Sequence, residues 1–263
     1  MIAAPGEPFR LSGRDPGARP FFEDKKDAEK SLKDDAKAID LLQDRLFAEG
    51  RRSLLVVLQG IDTAGKSGTI RAVFGETGPM GVRVTSFGKP SAEELDHDYL
   101  WRVHKATPPA GHIGVFDRSH YEDVLVVRVR QLAPLERVEE RYDQINAFEN
   151  HLSRNGVTVL KFFLHISHEE QAERLKARLA EPHKRWKFNP ADLDDRALWD
   201  QYMSAYDLAV ERCTTEHAPW WVVPSNSKTR RNAMIARIVR GALEDMDPQP
   251  RDPGWRAEDH PIA

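Results

Sequence analysis

Residues 53–70, SLLVVLQGIDTAGKSGTI, constrain this chain more than any other stretch, because an apolar run enters a glycine loop that opens a helix. The pattern G-x-x-x-x-G-K-[ST] is complete at Gly60, Gly65, Lys66 and Ser67, with Ala64 inside it. Backbone N–H groups of such a loop converge at the positive end of a helix dipole, the lysine adds a point charge, and the hydroxyl can ligate magnesium. Together they make a phosphate cradle. Residues 54–58 supply the strand and residues 69–74 the helix, the context that separates the motif from an ordinary Gly-rich turn.

One residue of the loop needs its own explanation. Asp62 places a carboxylate where phosphate charge should accumulate, which is repulsive unless screened. It fits if Asp62 holds a metal ion or orients a second, attacking phosphate, or if it is an Asx-type turn residue satisfying the loop backbone. Charge alone does not choose between these.

Before the loop, residues 1–23 carry four prolines and little periodicity, and are expected as an extended arm on the surface. Residues 24–50 show apolar positions at three-to-four spacing and Gly50 as a stop, which predicts a helix with a charged, solvated face. After the loop, residues 82–87 read as a second strand, and Ser91 with Glu94 forms a capping box for a helix running through HDYLWRVHKA. A third strand, residues 112–116, delivers Asp117 at its carboxyl end. Ligands of open parallel sheets sit outside those ends, so Asp117 can hold magnesium opposite Ser67; an exposed Asp capping the next helix is the alternative.

Residues 134–155 predict an amphipathic helix and residues 157–166 a fourth strand. Between residues 174 and 187 lie Arg174, Lys176, Arg178, Lys184, Arg185 and Lys187, with Pro182 breaking the helix. A basic helix–break–helix after a strand suits a lid closing cations over phosphates, spanning about residues 168–205, and arginines such as Arg178 and Arg185 suit phosphate oxygens best. A long helix with an aromatic stripe, expected in the core, leads to a fifth strand at residues 220–223 and a terminal helix at 228–243. A proline-rich tail occupies residues 247–263. The alternation predicts one α/β domain with a parallel five-stranded sheet and helices on both faces.

Charge sets limits on partners. With 39 basic and 42 acidic residues the net charge is −3, so no global polycation is available for nucleic acid or an anionic membrane, and a polyanion site must be local. The single cysteine, Cys213, and the absence of any apolar run approaching a span of roughly 18 residues suit a cytoplasmic protein.

GIDTAGKSGTI, HDYLWR, GVFDRSHYEDVLVVRV and EPHKRWKFNPADL, in that order, resemble the polyphosphate kinase 2 family over residues 21–243. The resemblance implies a P-loop fold similar to thymidylate kinase, and phosphoryl transfer between inorganic polyphosphate and a nucleotide with magnesium or manganese. It implies catalytic roles for Asp62, Lys66, Asp117, Arg118 and Arg178, and phosphate binding by Gly60, Ala64, Gly65, Lys66, Ser67, Lys184 and Arg185. Metal would sit at Asp62, Ser67 and Asp117, and nucleotide at Asp62, Lys89, Tyr121 and Glu122. Glu122 after Tyr121 points to the subset that accepts both AMP and ADP, and the family implies a dimer or tetramer. A conventional ATP-dependent nucleotide kinase, or a nucleotide sensor without turnover, would share the fold and loop. The carboxylates and the basic lid favour the polyphosphate reading.

Overall fold

Strand β1 (Ser53–Gln59) is buried at every position, as an unbroken apolar run requires when both faces of a parallel sheet are covered. The computed structural model describes residues 2–256, so Met1 and residues 257–263 of the expected tail lie outside the described residues. The strands β2 (Val82–Ser86), β3 (Ile113–Asp117), β4 (Val157–His165) and β5 (Trp220–Pro224) complete one sheet in the order β2-β3-β1-β4-β5. Every pairing is parallel.

The helices follow the chain as α1 (Lys25–Glu49), α2 (Lys66–Phe74), α3 (Ala92–Leu95), α4 (Trp101–Ala106), α5 (Val126–Val129) and α6 (Leu135–Arg154). After β4 come α7 (His168–Ala180), α8 (Ala191–Ala197), α9 (Trp199–Cys213) and, after β5, α10 (Lys228–Met246). Helix α1 starts where the Asp24 carboxylate accepts from the Lys26 N–H and stops at Gly50, whose φ of 58° is left-handed. Tyr202, Tyr206 and Val210 of α9 are buried, so the aromatic stripe packs in the core.

Two expectations are corrected. The helix foreseen from the capping box onward is two short helices. Ser91 and Glu94 do cap α3 reciprocally, but the Asp98 carboxylate then accepts from the Leu100 N–H, and that local turn competes with helix continuation before α4. The first segment is more than a surface arm, because Ala3, Phe9 and Leu11 join the main core and Ile2 bridges Trp221 on the free edge of β5.

From β1 the chain crosses through α2 toward β2, whereas from β4 it crosses to β5 on the opposite side. The connections diverge between β1 and β4, opening a crevice at the carboxyl ends of the strands.

Candidate active site

The phosphate loop connects β1 to α2 through a backbone that most side chains would not permit. Gly65 has φ 108°, and a Cβ there would fall 2.0 Å from Nη1 of Arg231. Thr63 also takes a positive φ of 69°, an unusual conformation for a β-branched residue. Lys66 is 8% exposed and its Nζ donates to the Gly60 carbonyl at 2.7 Å. Burial, and then the positive charge of Arg118, pull the Lys66 ammonium below the usual lysine value. A phosphate in the cradle offsets both effects.

Register places Asp117 beside Leu58, two residues before Gly60, so the carboxyl end of β3 reaches the loop. The Ser67 hydroxyl donates to Asp117 Oδ2 at 2.9 Å. Arg118, with φ 67°, turns its guanidinium toward the loop, where Nη2 donates to Asp62 and Nη1 to Glu122 Oε2 at 3.1 Å. Burial works against its charge, yet Glu122 and Asp62 together hold it above the ordinary guanidinium value. Arg118 thus screens the carboxylate of Asp62 that the loop would otherwise expose to phosphate.

The segment expected as a lid lies across from the loop. Its middle is a 3-10 turn (Pro182–Lys187) between α7 and α8. The loop and this segment enclose a cleft of about 810 Å³, lined by nine lysines and arginines against five carboxylates. Asp62, Gly65, Lys66, Ser67, Asp117, Arg118, Arg178 and Lys184 all line it. Arg178 is engaged within the lid, where Nη1 donates to Asp192 Oδ2 and to the Lys187 carbonyl, each at 3.2 Å.

Six expected site residues do not line the cleft, and of these Gly60 and Ala64 belong to the loop's own backbone beneath it. Arg185 turns away, its Nε donating to the Leu179 carbonyl at 2.9 Å. Tyr121 is fully buried beneath the turn, its hydroxyl donating to Glu149 Oε1 at 2.9 Å. Lys89 is exposed on the loop after β2, outside the lining of the cleft. Glu122 reaches the site only through Arg118, in a small recess that it shares with Asp62, Tyr202 and Tyr206.

A family model, Polyphosphate kinase 2, matches residues 22–251, nearly all of the chain. This chain belongs to the polyphosphate kinase 2 family. It is 47% identical over 251 residues, covering 95% of this chain and 94% of the relative, to the AMP/ADP-polyphosphate phosphotransferase of Meiothermus ruber. It is 39% identical to the ADP-polyphosphate phosphotransferase of Rhodopseudomonas palustris, over 86% of this chain and 83% of that one. The crystal structure of Polyphosphate Kinase 2 from Arthrobacter aurescens TC1 superposes with a TM-score of 0.93 at 40% identity, covering 98% of this chain and 96% of that chain. The sheet with its loop and helices is therefore the P-loop kinase fold of this family.

Two further arginines help to build this candidate site, Arg174, which the sequence placed only among the cations of the expected lid, and Arg231, which carried no motif. Arg174 on α7 is 7% exposed, and its guanidinium donates to the carbonyls of Thr63 and Ala64 at 2.9 Å and of Ser225 at 2.6 Å. Arg231 on α10 is 2% exposed and donates to the Ala64 carbonyl at 2.8 Å. A signal for Arg231 was available. It stands three and four residues before Met234 and Ile235, on the helix face that is otherwise apolar and buried.

Proposed function

We propose that this chain transfers phosphoryl groups between inorganic polyphosphate and AMP or ADP, forming ADP and ATP. The observation that carries this reading is the convergence of Asp62, Asp117, Lys66 and Arg118 in one cation-rich cleft of a polyphosphate kinase 2 chain. The named activities of the relatives from Meiothermus ruber and Rhodopseudomonas palustris support the donor and the acceptors. In this reading the whole chain is one catalytic unit, and residues 168–205 act as its lid.

A divalent cation, magnesium or manganese, fits the oxygens present. Ser67 and Asp117 already meet beside the cradle, and Asp62 stands across the loop. Magnesium keeps phosphate and water ligands, so one or two protein oxygens suffice to hold it. When bound, such an ion supplies charge neutralisation for the phosphates. The chain's own groups account for the rest. Lys66 and the loop N–H groups hold the phosphoryl group in transfer, and Arg118, fixed by Asp62 and Glu122, faces the same point. An acceptor phosphate oxygen attacks phosphorus in line, the bond to the remaining polyphosphate breaks, and the donor leaves one phosphate shorter. That oxygen is already anionic at neutral pH, so no strong general base is required and catalysis rests on positioning and electrostatics. Arg178 completes the site by exchanging Asp192 for phosphate as the lid closes.

The single cysteine suits a cytoplasmic setting, and no helix among the described residues is long and apolar enough to cross a membrane. A dimer or tetramer is supported by the open edge strand β2, where Val84 is half exposed beside the exposed Met80. The test is ATP formation by purified protein with magnesium and polyphosphate, with AMP in one tube and ADP in another. ATP in both tubes is expected. ATP from ADP alone would keep the donor and remove AMP, whereas no product, alongside transfer from ATP to a nucleoside monophosphate, would replace this reading with a conventional kinase.

A further inference from the structure

Arg231 is a buried cation without an anion. Its Nε and Nη2 donate to Asn232 Oδ1 and its Nη1 to the Ala64 carbonyl, all neutral acceptors. Among the described residues no carboxylate pairs with it, and the charged group that acts on it most directly is another cation, Arg174. Burial, followed by Arg174, lowers its guanidinium to about 9, still charged at neutral pH. A desolvated charge of this kind is costly unless something of opposite sign completes it.

Arg174 itself pairs with Glu170, its Nε donating to Oε1 at 2.7 Å, but a second neighbour adds to the imbalance. Lys228, one turn earlier on α10, is exposed at the mouth of the same cleft. Burial of its inner part lowers its ammonium, and Arg174, Lys184 and Arg231 add to that, with Glu170 opposing. The guanidinium of Arg231 also lies against Gly65, so this cationic wall is continuous with the phosphate cradle. Two of its five N–H groups remain uncommitted after the three bonds to Asn232 and Ala64.

We propose that Arg231 and Lys228, backed by Arg174, form a subsite for an inner phosphate of the polyphosphate chain, beyond the group being transferred. The donor then leaves the phosphate loop over the start of α10, between α10 and α7, rather than along Arg185. A polyanion suits this wall better than a nucleoside, because Arg231 and Lys228 are charged donors, Arg174 adds its charge from behind with its own N–H groups already committed, and no aromatic face lies among them. The inference rests on the polyphosphate-dependent function proposed above.

Lys228→Ala and Lys228→Glu are the primary variants, since an exposed side chain can be changed without risk to folding. The readouts are KM for long-chain polyphosphate, KM for ADP, and the salt dependence of the former. Lys228→Ala is expected to raise the polyphosphate KM about tenfold, the worth of one charge-assisted phosphate contact, with Lys228→Glu worse and the ADP KM unmoved. The slope of log KM against log salt should become shallower by about 0.7, as for one lost phosphate contact on a single strand. Arg231→Gln should act in the same direction, with a thermal melt separating lost binding from lost folding. An unchanged polyphosphate KM in both Lys228 variants, or a rise confined to ADP, overturns the subsite. Failure of the unmodified protein to make ATP from polyphosphate is a different result, and it would strike the proposed function instead.

Discussion

Asp117 carries the most exposed prediction at the scale of single residues. Replacing it with Asn keeps its size and an oxygen that can accept from Ser67, so what is lost is charge. Turnover with polyphosphate and ADP should fall about 10²–10³-fold, the range for removing one preorganised electrostatic contact. The melting temperature should move by no more than about 2 °C, because no buried contact is broken. Unchanged turnover would remove Asp117 from the mechanism. The loop residues were legible in the sequence because their geometry is local, a motif whose members sit within a few residues of one another. Asp62 was ambiguous for the same reason, since its partner, Arg118, arrives from 56 residues away. The lid misled at Arg185 through helix type. On a 3-10 turn positions three apart share a face, so Lys184 and Lys187 look into the cleft and the residue after Lys184 rotates away.

Elements are tied together behind the site by a buried charge that no local pattern announces. Lys161 of β4 and Glu149 of α6 are both fully buried, and the lysine Nζ donates to Glu149 Oε2 at 2.6 Å, the Tyr121 hydroxyl at 2.7 Å and the Cys213 carbonyl at 2.6 Å. The network joins β4, α6, α9 and the turn that follows Asp117 and Arg118. It holds Tyr121 inward, which leaves Arg118 and Glu122 to face the loop. That is why Tyr121, part of the family motif, is sealed from the cleft. Lys161→Met should cost about 3–5 kcal/mol by urea unfolding, because Glu149 is left buried without its cation, and adding Glu149→Gln should return part of that loss. Burial raises the Glu149 carboxyl, but Lys161 and His120 outweigh it and the net shift is downward. A carboxyl held low in the folded state stabilises above its unfolded value of 4.5, and that contribution disappears as pH falls through the folded value. The gap between the parent and Lys161→Met should therefore hold from pH 7 down to about pH 4.5 and narrow below it, and a gap that stays constant under pH 4.5 would mean that Glu149 is not the group left stranded. The strands and long helices were legible because periodicity reports burial of a whole face. The break between α3 and α4 was not, because one side-chain turn at Asp98 decides it.

Across the whole molecule, a net charge of −3 conceals a cleft where cations outnumber carboxylates nine to five, so the positive charge that a polyanion would need is gathered locally. The first residues show how a distant segment supports that cleft. Phe9 and Leu11 are each 3% exposed, the Ala3 N–H donates to the Trp220 carbonyl at 2.8 Å, and the Leu11 N–H donates to Asp207 Oδ1 at 2.7 Å. Their irregular spacing hides this in the sequence, since anchors without a period give no helix or strand signal. Further along, the Asn226 N–H donates to the Pro16 carbonyl at 3.2 Å, and the Asn226 carbonyl accepts from the same Arg174 that holds Thr63 and Ala64. A path of direct contacts thus runs from the arm to the phosphate loop. Deleting residues 1–13 removes two large buried side chains worth about 1.5–3 kcal/mol each and bares the edge of β5. The melting temperature should fall by about 10 °C, at roughly 2–4 °C per kcal/mol for a chain near this size, and light scattering should rise with concentration. Deleting residues 1–18 also takes the Pro16 contact, so turnover measured well below either melting point should drop further in that variant than in the shorter deletion. Equal turnover in the two would show that Arg174 holds the loop without help from the arm, leaving the arm a role in stability alone.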